Sequence, residues 1–409
     1  MIQSPYALFL LLALLLQAGC GEAPSSEGGH VSSVAGYSAS PVITVDLPKQ
    51  PLYRLAEVMQ IEQVVRLETS PKAMLSGVSH VYQLPDGQWL GADPRSAQIK
   101  VFDSTGAYRY DIGAVGKGPG EWLSLEAVDY DPTTDRLMAF SDRDMRLNLY
   151  RSDGNLLKST TLGFFANQLL MLPGHGWGAL TGFNISERSG AHHFLVTNEE
   201  LEIENRFLPF DDQEERATMR GAGFLYRRPT GCLLMPPFGD TVFHWQAGQL
   251  TPAYVLDFGD RTMPVDKRGA VGLFQSGQYR EYGRQSGRAW ETKAHFVFCV
   301  SWKRRLRVRV WDRQRQRLWG YELCDAPLAA ETLFRPVGLT SSGAWILALL
   351  PGKWNPDWHK PGTWRAKAAA ESRAYLQTHY PQVFDQLQQM TEDDNYALLC
   401  VRLTLPGTE

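Results

Sequence analysis

Residues 113–122 read GAVGKGPGEW, and glycines crowded around a lysine are the raw material of a phosphate-cradling loop. The parts do not assemble into one. A P-loop places Ser or Thr directly after its lysine to hold magnesium, and here Gly118 follows Lys117. A dinucleotide loop spaces its glycines G-x-G-x-x-G ahead of a helix. Gly116, Gly118 and Gly120 are instead two apart, Pro119 lacks the amide that a pyrophosphate would use, and the following LSLEAVDYDPTTDRLMAF reads as strands about a turn. The three glycines are therefore expected to serve backbone geometry, with Gly118 needing positive φ, Pro119 stiffening the turn and Trp122 packing behind it. For a ligand, the loop offers the charges of Lys117 and Glu121. The alternative is that these two pair, or that Glu121 accepts backbone hydrogen bonds and holds the loop.

Other residue types with chemical reach are scattered. Asp129, Asp131, Asp135, Asp142 and Asp144 fall in or beside turns, and DYDPTTD lacks the alternate oxygens, glycine and distal Glu of a calcium loop. Turn chemistry is the expectation for them. His192 and His193 are adjacent, so on a strand they face opposite ways and cannot easily share a metal. Neither HExxH nor GxSxG occurs, and no cofactor is called for. The tryptophans of LLPGKWNPDWHKPGTW remain. Trp354, Trp358 and Trp364 either fasten the Ala-rich helical segment that follows or form an aromatic platform for a sugar ring or a peptide.

The elements that must position these residues are mostly strands. HVYQLPDGQWLGAD, QIKVFDSTGAYRYDIG and AVDYDPTTDRLMAFSDRDMRLNLYRSDGNLLKSTTL alternate short runs with Asp, Asn, Ser and Gly turns. Units of three or four strands recur at residues 78–113, 123–162, 167–209, 223–259, 288–324 and 334–403, the spacing of propeller blades at about forty to fifty residues. This predicts an all-β, six-bladed propeller over residues 51–409. QVVRLET at 63–69 is expected to close the ring beside NYALLCVRL, and a helical insertion at about 364–390 to interrupt the last blade. The insertion carries Pro381 at a helix start and Val383, Phe384, Leu387 and Met390 on one face.

Several residues make the likeness specific: Ile112-Gly113, Gly116, Gly118-Pro119-Gly120-Glu121-Trp122, the YVLDFG run at 254–259, and Asp393-Asp394-Asn395. Over about residues 63–403 the chain resembles the six-bladed β-propeller lipoproteins of Gram-negative bacteria, which are related in shape to NHL-repeat propellers. That family has Pro where this chain has Tyr396, a departure expected to loosen the turn. The resemblance implies a fold and a location in the cell envelope, periplasm or outer membrane, more than a reaction.

The N-terminus agrees with export. An apolar run from Ala7 to Leu16 is too short to cross a bilayer and has the size of a signal-peptide core, so residues 1–19 read as a signal. Leu16-Gln17-Ala18-Gly19-Cys20 resembles a lipobox, with Cys20 lipidated, against the alternative of an ordinary cleaved signal. Residues 20–50, rich in Gly, Ser and Ala at first, are expected to be a flexible tether. Cys232, Cys299, Cys324 and Cys400 form no CxxC and lie in apolar runs, so buried thiols are expected. A net charge of −3 makes no case for nucleic acid, and the period-two Arg305, Arg307 and Arg309 read as a solvated or ion-paired strand face. Two functions are open: a monomeric, lipid-anchored binding module for a protein, peptide or glycan, or a metal-dependent hydrolase or lyase with a site at the central pore.

Overall fold

A computed structural model describes residues 40–47, 49, 52–53, 58–211, 223–303, 305–322, 336–349, 357 and 360–404. Six antiparallel sheets follow one another along the chain, each with four strands laid from the inside outward. They occupy residues 80–111, 127–161, 168–209, 224–257, 284–322, and 336–349 with 397–403. This is the six-bladed propeller expected, and each blade falls on its predicted unit within a few residues. Inner and middle strands are buried on both faces because each blade is sandwiched by its neighbours; Trp89–Asp93 is buried throughout, whereas the outermost Leu156–Thr161 is almost wholly exposed. Every junction has its own apolar cluster: Leu90, Trp122 and Tyr130 between blades 1 and 2, Phe224, Phe296 and Phe298 between 4 and 5, Val297, Trp319 and Trp345 between 5 and 6.

The hairpin turns are built by their aspartates. Asp131 accepts Thr133 N at 3.1 Å and both threonine hydroxyls at 2.8 Å; Asp103 and Asp312 repeat the pattern. Burial pushes the Asp131 and Asp312 carboxyls up, but these hydrogen bonds outweigh it and leave both below the ordinary value. A carboxylate lowered by folding stabilises the protein above its unfolded value of about 3.9, and that stability is lost as pH falls from there through the lower folded value. Melting temperature should hold near neutrality and drop between about pH 5 and about pH 3; a flat profile over that window would contradict the assignment.

Three N-terminal strands wrap the far side of the ring. β1 (Val42–Thr44) pairs in parallel with Val255–Asp257 as a fifth strand of blade 4. β2 (Leu52–Tyr53) does the same on blade 5 at Gly320–Tyr321. β3 (Met59–Arg66) is the outermost strand of blade 6, antiparallel to Ala397–Leu403, and so closes the ring as expected, beginning four residues earlier than read. The tether reading to residue 50 therefore runs too far. In VITVDL, the alternate residues Ile43, Val45 and Leu47 are buried against blades 4 and 5, which is a period-two strand pattern.

Arg307 donates to the Leu47 carbonyl at 3.2 Å. Arg307 and Arg309 are buried, 7% and 0% exposed, so of the three arginines read as a surface face only Arg305 is exposed. The strand lies third in its blade, covered by the N-terminal segment and the neighbouring blade.

Among the described residues the insertion in blade 6 contains two helices, with a shorter one elsewhere. α1 (Val271–Gln275) belongs to the blade 4–5 connection. α2 (Trp364–His379) starts at the Thr363 cap, and α3 (Pro381–Gln388) has its proline at the first turn. Leu376, Phe384, Leu387 and Met390 join the blade 5–6 core, and Tyr380 donates to Met59 O at 3.2 Å. After the helices comes Asn395, fully buried, whose amide group donates to Glu68 O and Ala73 O at 3.0 and 2.8 Å. Its oxygen accepts Leu75 N at 3.3 Å and Tyr396 N at 2.9 Å. The turn is thus tied down; Tyr396 in place of Pro supplies an amide that the tie uses. Cys232, Cys299 and Cys400 are buried, as read, and Cys324 lies outside the described residues.

Candidate functional site

A cleft of about 360 Å³ opens between blades 4 and 5. Its floor begins at Arg228, the last residue of the first strand of blade 4, Phe224–Arg228. His244 and Tyr254 project from the third and fourth strands of that blade. Trp311 and Arg313 come from the end of the third strand of blade 5 and its turn, and Pro41, just ahead of β1, forms the outer wall. Behind the lining lies Glu291, whose side chain is 7% exposed against 36% for Arg313. Arg228 donates to one Glu291 oxygen through Nε at 2.6 Å, Tyr254 donates to the other at 2.5 Å, and Arg313 Nε stands 3.8 Å away.

This arrangement fixes protons more than it moves them. Burial, then the bond to Glu291, raises the Tyr254 pKa, so its phenol stays a donor. Burial, then Arg228, lowers His244 and keeps it neutral at ordinary pH. Both Glu291 oxygens are already occupied, so no free base faces the cleft from it. Two guanidinium groups share one carboxylate, which leaves the lining donor-rich and positive.

Arg227, next along the same strand, points the other way. It reaches past blade 3 to Asp129 on the first strand of blade 2, with Asp131 3.7 Å from it. Asp129 also accepts Met171 N from blade 3 at 2.8 Å. The axis carboxylates are thereby paired, and among the described residues no three of His, Cys, Asp and Glu converge as metal ligands.

The 113–122 loop sits at the opposite junction, between blades 1 and 2. Glu121 accepts Gly118 N at 2.7 Å, Arg146 donates to Gly118 O at 3.0 Å, and Asn148 to Glu121 O at 3.0 Å. Tyr150 donates to Gly120 O at 2.5 Å, and the buried Trp122 donates to Ala97 O at 2.8 Å. Arg146, Asn148 and Tyr150 belong to the third strand of blade 2, so the loop is held toward the outer half of its junction. Gly120 has φ +75°, but Gly116 and Gly118 are not left-handed; Gly113, at φ +64°, is the second such position. Lys117 and Pro119 are exposed. Lys117 therefore does not share the cleft, and Trp354, Trp358 and Cys20 lie outside the described residues.

A family model matches residues 41–402, from the residue before β1 into the last strand, one residue short of its end. The chain belongs to the family described as a domain of unknown function, DUF4934. Its boundary agrees with the placement of β1 inside the fold. The DUF4934 chain is similar in structure to a Bacteroides fragilis protein described as exported, at TM-score 0.70 and 17% identity, over 89% of this chain and 100% of that one. It is also similar to a member of the DUF4221 family from Bacteroides vulgatus, at TM-score 0.50 and 9% identity, over 85% and 99%. At these identities the likeness speaks for the fold alone. No curated protein matches the chain.

Sequence reasoning on this DUF4934 propeller missed Arg228, His244, Glu291 and Arg313, because they meet only when two blades stack. Tyr254 was in view as the start of YVLDFG, and Trp311 and Arg313 lay inside the arginine-rich run, but neither signal points to a cleft. The blade 4–5 connection was also missed. It carries α1 and builds an aromatic cluster with blades 3 and 4, where Phe238 meets Phe274 at 4.7 Å and Phe183 meets Phe210 at 5.2 Å. Those rings pack mainly on one another.

Proposed function

We propose that this DUF4934 protein is an exported binding module, anchored through lipid on Cys20, which uses the blade 4–5 cleft to hold a ligand from a protein, peptide or glycan. The observation that carries the reading is the cleft itself: preformed, lined by donors and aromatic rings, with its one carboxylate already engaged. The signal-like Ala7–Leu16 run and Gly19-Cys20 support export and anchoring. Among the described residues no helix is long and apolar enough to cross a membrane. Purified protein screened against glycan and peptide arrays should show a ligand, and Thr251→Trp, which fills the mouth from an exposed position, should abolish it. Array binding that is indifferent to Thr251→Trp would overturn the assignment of function to this cleft.

The anchor has its own test. Cys20→Ala should move the protein from the membrane fraction to the soluble fraction without changing its melting temperature. Membrane association that survives the substitution would overturn lipidation.

A further inference from the structure

The lining of the cleft is chemically one-sided. Arg228, Arg313 and His244 face it, and no acidic residue lines it. Glu291 stands behind the arginines and is already bonded by Arg228 and Tyr254, and Asp312, between Trp311 and Arg313 in the chain, is paired with Arg315. Arg228 uses Nε and one terminal nitrogen on that carboxylate, which leaves the other terminal nitrogen for a ligand. Arg313 is anchored by donating to Thr292 O at 2.9 Å, with its Nε 3.8 Å from Glu291. Two positive charges against one negative leave a net charge near +1 in a space that water shares only in part. The Nε2 atom of His244 is buried and has no hydrogen-bond partner among the described residues. The volume, about 360 Å³, admits one sugar ring or two amino-acid residues and little more.

Resting on the binding-module reading above, we infer that the cleft takes a small organic carboxylate, seated between Arg228 and Arg313 with its polar body against His244 and its apolar side on Trp311. Guanidinium groups bind carboxylates through paired N–H donors, and Glu291 is the internal example of that pairing in the same site. A uronic sugar and a peptide C-terminus both carry the group.

Calorimetric titration of the full chain separates the cases. Galacturonate is compared with galactose, and alanyl-alanine with its amide, with inorganic phosphate as a further probe. At least one carboxylate should bind about tenfold or more tightly than its neutral counterpart, a difference of about 1.4 kcal/mol. Arg313→Ala should remove that preference; it is the more exposed arginine, so the fold is retained, and Arg313→Lys should restore it only in part. The sugar and peptide arms tell which source fits. If phosphate binds and neither carboxylate does, or if acid and neutral forms bind alike, the inference is overturned. A neutral ligand whose binding is lost in Thr251→Trp and kept in Arg313→Ala would also overturn it, yet leave the binding-module reading standing. Failure of all probes at millimolar concentration overturns the carboxylate assignment, while the array screen judges the module separately.

Discussion

Asn395→Ala should destabilise the propeller by about 3–5 kcal/mol, read as a shift of the denaturation midpoint. The substitution removes the partner of four backbone groups, Glu68 O, Ala73 O, Leu75 N and Tyr396 N, the last three in buried bonds, and each buried orphan is unfavourable by about 1–3 kcal/mol. Glu68, Ala73 and Leu75 all belong to the connection from blade 6 to blade 1, so the side chain ties the insertion of the last blade to the start of the first. Asn395→Asp sharpens the test. It keeps the size but aims an oxygen at two carbonyl oxygens, and should be at least as damaging as alanine. A loss below about 1 kcal/mol for both variants would show that the buried amide does not hold the closure.

Gly113→Val should be nearly as severe, and Gly118→Val mild. A Cβ on Gly113 would lie 2.3 Å from the Trp122 ring and 2.8 Å from the Tyr150 hydroxyl, both fixed by packing. Its φ of +64° adds strain of about 1–3 kcal/mol, more for a β-branched side chain. Overpacking of that kind adds about 1–3 kcal/mol again. A Cβ on Gly118 meets only the Glu121 carboxylate, at 3.1 Å, a side-chain end that can move, and its φ is not positive. Gly118→Val should therefore stay within about 1 kcal/mol of the parent. If the two variants melt alike, the loop's geometry is not set at Gly113.

The repeat of alternating runs and Asp-bearing turns made the blades legible, because each strand's pattern is decided by local sandwiching and each turn by its own residues. The closure was legible too: QVVRLET and NYALLCVRL both read as strands needing a partner. The burial of Arg307 was not, since a period-two run of arginines looks the same whether its face meets water or the carbonyl of Leu47. The cleft was illegible for a related reason. Arg228, Tyr254, Glu291 and Arg313 come from four separate stretches, and only the stacking angle of two blades brings them together. The glycine loop drew attention by its composition, yet its charges are spent on its own amides or project alone.

The wrap of β1, β2 and β3 also sets an order of assembly. These strands are the first of the fold to leave the ribosome, and their partners at 255–257, 320–321 and 397–403 follow in the second half, the last of them at its very end. Until the strand at 397–403 emerges, β3 has nothing to pair with, and loop closure over such distances is slow. The ring therefore cannot lock while synthesis is under way. A chain that stays open until it is complete is one that can be threaded across a membrane before it folds.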